Sequence, residues 1–171
     1  MKIVVFGPQR RVGALLDDHV IDLNRGSSQV PARLLDFIEA GAPALAEANR
    51  MVEHFSHTAP SGDGVVQALN AVQLHAPWPE RRIACVGGNY AEHLRGMWAN
   101  RLGKTDITVE EVATEAKKAG QWGFWKVPAE VAGPEGTIPF PKRVTYFDYE
   151  GEVAIVIGKR GKNIPAAKIN E

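Results

Sequence analysis

The sequence predicts an α+β, mostly β protein built from short strands, and three observations carry that expectation. Brief apolar runs alternate with turn residues at the start of the chain, two stretches repeat apolar residues at helical spacing, and no G-x-G-x-x-G fingerprint follows any predicted strand. Ile3 to Phe6, Val12 to Leu16 and Val20 to Leu23 read as three strands of an antiparallel meander, with a tight turn at Asp17-Asp18. Pro31 then opens a helical pattern containing Leu34, Leu35, Phe37 and Ile38, which Gly41-Ala42-Pro43 stops. A second helix places Leu45, Ala48, Val52 and Phe55 along one stripe.

Ser56 to Gly64 and the rigid Ala76-Pro77-Trp78-Pro79 read as connectors, so a boundary is expected between a small N-terminal domain, 1–78, and a second domain, 79–171. His54, His57 and His75 have no metal-ligand spacing and read as surface or helix-end residues. The run around Cys85 reads as a buried strand, which makes the lone cysteine a small core residue. It leads into the turn Gly87-Gly88-Asn89 and then Tyr90 to Leu94. Thr108 with Glu111 forms a capping box; Val109, Val112, Ala113 and Ala116 supply a stripe, and Lys117 and Lys118 favour the C-terminal end, so a helix is expected to Gly120. Trp122-Gly-Phe-Trp-Lys126 reads as an aromatic strand ending in a cation, and Gly133-Pro134-Glu135-Gly136 as a turn.

Asp148-Tyr149-Glu150-Gly151-Glu152 runs into the apolar Val153-Ala154-Ile155-Val156-Ile157-Gly158. In a strand, Asp148, Glu150 and Glu152 project from one face at the mouth of a buried segment, where like charges must be protonated, solvated or met by a cation. Oxygen-only donors suit Mg²⁺, with Mn²⁺ or Ca²⁺ as alternatives, better than zinc. A solvated polar face on an edge strand is the plain alternative.

Twenty Lys and Arg balance twenty Asp and Glu, so nothing in the bulk charge calls for nucleic acid or an anionic membrane, and a small molecule is the expected partner. The opening apolar run is too short for a signal peptide or membrane span, which makes the cytoplasm the expected location.

Cys85 to His93, Phe124-Trp125-Lys126, Gly133-Pro134 and Asp148 to Lys159, in that order, resemble the fumarylacetoacetate hydrolase family. The opening residues are similar to the small N-terminal domain of many members. The resemblance implies a catalytic domain of mixed, rolled β-sheet, a homodimer, and a divalent metal, usually Mg²⁺, with Glu150 and Glu152 as ligands. It also implies His93 as the residue that activates water or shuttles a proton, and Lys126, with Asn89 and Tyr90, as substrate-binding residues for a small carboxylate. The expected chemistry is C–C cleavage of 2-oxo or 1,3-dicarbonyl acids through a metal-stabilised enolate.

Two departures accompany the resemblance. Gly96 stands where many members have a glutamate that orients the histidine, with Glu92 on the other side of the histidine and Glu110 or Glu111 left as substitutes. No aspartate matches the family's third metal ligand, so the expectation includes a chain truncated after the D-x-E-x-E strand, and a rival reading is a binding or oligomerisation subunit. Met97 to Gln121 reads as an insertion suited to a lid.

Overall fold

The computed structural model describes residues 1–58, 63–78, 83–103, 105–127 and 131–169. Parts of both predicted connectors, including Pro79, lie outside the described residues, as do Arg82, Asn170 and Glu171. The α+β class holds, with chain segments clustering into two compact units: 1–77 with 132–171, and 78–131.

In the first unit, β1 (Lys2–Phe6), β2 (Arg11–Leu16) and β3 (His19–Asp22) form the expected meander, in register from Lys2↔Leu15 and from Leu16↔His19. Asp17 takes a left-handed φ of 49° at the β2–β3 turn, a conformation that aspartate tolerates better than most residues. Two short strands that local pattern did not indicate, β4 (Val66–Ala68) and β5 (Leu74–His75), add to the edges and give the antiparallel order β4-β3-β2-β1-β5. His75 is thus a half-buried strand residue rather than a surface or helix-end one, and its Nε2 lies 2.8 Å from the Gly7 carbonyl oxygen.

Leu23 ends no strand. It begins the one-turn helix α1 (Leu23–Gly26), because buried Asp22 N-caps it by accepting from the Arg25 amide at 3.1 Å. Arg11 neutralises the same carboxylate with paired bonds of 2.8 and 2.9 Å and reaches Asn24 Oδ1 at 3.0 Å, and Asn24 in turn donates to the Val30 carbonyl. The two expected helices form one element, α2 (Leu34–Ser56), kinked at Gly41 (φ 62°, ψ −140°) two residues before Pro43. It starts at Leu34 with Arg33 as N-cap, three residues after Pro31. Its Phe37, Ala44, Ala48 and Met51 pack with Val12, Ala14, Ile21, Leu23, Val30 and Val65 in the hydrophobic core.

The second unit holds β6 (Ile83–Gly87) and β7 (Trp122–Lys126), paired antiparallel, with α3 (Ala91–Leu102) and α4 (Val109–Ala119) between them in sequence. Both halves of the Thr108–Glu111 capping box are made. α3 extends well beyond Leu94 and ends on left-handed Gly103 (φ 62°). Cys85 is half-buried, a correction to the expected core position: among the described residues β6 and β7 pair only with each other, which leaves much of this ribbon open to solvent.

The largest correction concerns 144–165, where no strand forms. Asp148 to Gly158 was expected as a strand with a buried continuation, yet Val153, Ile155, Val156 and Ile157 are 57–84% exposed. An extended run becomes a strand only when neighbours accept its backbone hydrogen bonds, and among the described residues no strand flanks it. Gly133–Gly136 closes as the expected turn, its Gly136 amide donating to the Gly133 carbonyl at 3.1 Å. Among the described residues, no helix is long and apolar enough to cross a membrane.

Candidate functional site

The β6–β7 ladder sets the spacing of the candidate residues in the second unit. Gly87 pairs with Trp122 at one end and Ile83 with Lys126 at the other, four residues away, which is about 13 Å along the strand. β6 leaves the ladder at the Trp122 end. Left-handed Gly88 (φ 62°) then turns the chain, with Leu94 close enough that a Cβ on Gly88 would meet its side chain at 3.1 Å. Asn89 and Tyr90 follow, both exposed, and Tyr90 is the N-cap of α3.

His93 occupies the third position of α3, exposed and directly behind the glycine turn. Tyr90 makes no side-chain cap bond, and the positive dipole end of α3 lies near the histidine. Asn89, Tyr90 and His93 therefore gather at one end of the ladder. Lys126 stands at the other, its Nζ 6.0 Å over the Phe124 ring.

Glu92, and Glu110 and Glu111 expected as partners of His93, have the following places in the structure. Glu92 accepts from Arg95 Nε at 3.2 Å. Glu111 takes the Thr108 amide at 2.9 Å and hydroxyl at 3.1 Å. Glu110 lies in the first turn of α4, which its charge favours through the helix dipole.

The acidic run belongs to the first unit. Asp148 accepts the Tyr146 hydroxyl at 2.7 Å and the Tyr149 amide at 2.8 Å, and the Tyr146 bond, ahead of the amide, holds its carboxyl below the usual range. The same bond pushes the Tyr146 phenol up. Glu150 and Glu152 are exposed. Carboxylate oxygens are the right donors for a hard divalent ion, and one or two carboxylates completed by water and substrate oxygens are a usual protein share of a magnesium shell. The donor type thus fits, although among the described residues no group of three or more His, Cys, Asp or Glu side chains is gathered into a cage. Asp148 serves Tyr146 and Tyr149 instead.

An open cleft of about 530 Å³ in the first unit is lined by Phe6, Gly7, Arg11, Arg25, Gln67 and Gln73 among others. None of the candidate residues contributes to it, and no local motif announces it, because its wall combines separate strand ends and loops.

The family model described as fumarylacetoacetate hydrolase C-terminal matches residues 82–171. A mitochondrial oxaloacetate tautomerase, fahd2 of Xenopus laevis, is 30% identical over 96% of this chain and 46% of its own length. The oxaloacetate tautomerase YisK of Bacillus subtilis is 29% identical over 90% of this chain and 50% of its own. The human mitochondrial oxaloacetate tautomerase FAHD2B is 28% identical over 86% and 40%. The chain spans about half the length of the curated relatives it matches.

Proposed function

Since the chain belongs to the fumarylacetoacetate hydrolase family, whose members are generally dependent on a divalent metal, we propose that it serves an enzyme that moves protons on 2-oxo or 1,3-dicarbonyl acids. The observation that carries the reading is the grouping of Asn89, Tyr90 and His93 at the start of α3, within the segment matching the family model. The shared name of the relatives supports keto–enol tautomerisation as the reaction.

Glu150 and Glu152 would hold the metal, and a bound divalent ion supplies positive charge that favours enolate over ketone. Mg²⁺ is the proposed ion, in keeping with all-oxygen donors. His93 takes a proton from the carbon beside the oxo group through its neutral imidazole nitrogen, and the imidazolium returns a proton to the oxo oxygen, so the net change is keto to enol. Asn89 and the first-turn amides of α3 offer donors to the substrate carboxylate. Lys126, about 13 Å along the ladder from the turn, would meet an anionic oxygen only of a substrate longer than a four-carbon diacid. A homodimer is part of the same proposal.

Hydrolytic C–C cleavage is a second reading, favoured by the family's name. There His93 deprotonates water, the hydroxide adds to the remote carbonyl, the bond to the enolate carbon breaks, and the imidazolium proton passes to that carbon.

The test is ultraviolet absorbance of oxaloacetate enolisation with Mg²⁺ present. Wild type is expected to accelerate it, and His93→Ala to lose about 100-fold or more of that acceleration. Unchanged acceleration in His93→Ala would remove the histidine from the mechanism. Chelation of the metal is expected to abolish the activity, and activity that survives chelation would remove the metal.

A further inference from the structure

Trp122, Phe124 and Lys126 alternate along β7 and so share one face, whereas Gly123 and Trp125 face the other way. The Trp122 and Phe124 rings lie 6.0 Å apart at 32°, and the Lys126 cation sits over Phe124. The indole also lies across Gly87, where an added Cβ would collide with its six-membered ring, and Gly87 is buried beneath it. Yet Trp122 is 60% exposed and Phe124 45% exposed.

One side of the indole is therefore seated on backbone while the other is open, beside the turn that carries Asn89, Tyr90 and His93. A hydrated open aromatic face of this size gains by stacking a flat apolar group. Groups suited to a carboxylate flank the aromatic pair at both ends: Lys126 at one, Asn89 and the α3 amides at the other. A carboxylate held at either end lays its substituent across Trp122 and Phe124.

We infer that Trp122, backed by Gly87 and continued by Phe124, is a specificity-determining wall that selects 2-oxo acids carrying an aromatic or similarly planar apolar substituent. This inference rests on the oxo-acid reading above for the head group, and on the β7 face alone for the substituent.

The test is calorimetric titration of the Mg²⁺-containing protein with pyruvate, phenylpyruvate and 3-phenylpropionate, using wild type, Trp122→Ala, Trp122→Phe and Trp125→Ala. Phenylpyruvate is expected to bind wild type about tenfold more tightly than pyruvate, in line with one aromatic stack. Trp122→Ala is expected to bring the two within about twofold, while Trp122→Phe keeps most of the preference and Trp125→Ala all of it. The phenylalanine variant retains a ring on Gly87, so it separates lost stacking from lost folding. Equal binding of pyruvate and phenylpyruvate by wild type, or a preference that survives Trp122→Ala, overturns the wall and leaves the oxo-acid reading standing. Binding of 3-phenylpropionate through Trp122 as tightly as phenylpyruvate keeps the wall and overturns the oxo-acid head group. Failure of all three ligands to bind overturns both.

Discussion

Glu47 holds Arg50 one helical turn away through bonds of 2.8 and 2.6 Å, and its side chain is 11% exposed. The Arg50 bond, with a smaller contribution from Ser27, lowers its pKa from the ordinary 4.5 to about 2. A carboxyl whose folded pKa is depressed stabilises the fold above the unfolded value, and that contribution fades as pH falls through the folded value. The excess stability of wild type over Glu47→Gln is therefore expected to be complete above about pH 5 and to decline between about pH 4.5 and 2, measured by thermal melts across that range. An unchanging difference from pH 6 to pH 2 would contradict it. The i, i+3 pairing of Glu47 and Arg50 needs only that the helix forms, so its determinants are local. Asp22 was not legible in the same way: its pairing with Arg11 and its capping of α1 depend on β2 and β3 lying side by side.

Gly13 illustrates how an element is constrained by what crosses it. It sits in the middle of β2, and a Cβ there would lie 2.8 Å from Phe6 Cε1 and Val20 Cγ1 and 2.9 Å from the Ile21 carbonyl oxygen. Gly13→Ala is expected to destabilise the first unit by about 1–3 kcal/mol, because filling a packed site displaces its neighbours; chemical denaturation checks this, and an unchanged midpoint would refute it. Elements with their own chemistry were readable beforehand. The α4 capping box, the α2 break before Pro43 and the β2–β3 turn each depend on residues within a few positions of one another. β4 and β5, three and two residues long, have no such local signal; they become strands because β3 and β1 offer edges to pair with.

Across the whole molecule, apolar surface is distributed unevenly. The first unit closes a core around Val12, Ile21 and Leu23, whereas Val153, Ile155, Val156 and Ile157 stand open in one continuous run. Such a run with β-branched residues and no charge promotes association. Ile155→Lys with Ile157→Lys is expected to lower concentration-dependent light scattering while leaving the thermal midpoint within about 1 °C, since surface substitutions change stability little; scattering that matches wild type would show that the run is not the adhesive surface. By itself the sequence determined the α+β class, the meander, the two capped or kinked helices, the β6 and β7 strands, and the family to which their order belongs, because those depend on local propensity, spacing and residue order. The tertiary structure alone decided that β4 and β5 complete the sheet, that Asp148 serves Tyr146, that Lys126 stands at the far end of the ladder from His93's turn, and that the acidic run is not a strand. Each of those outcomes turns on which neighbour is present to accept a hydrogen bond or exclude water, and a neighbour distant in sequence leaves no mark on local pattern.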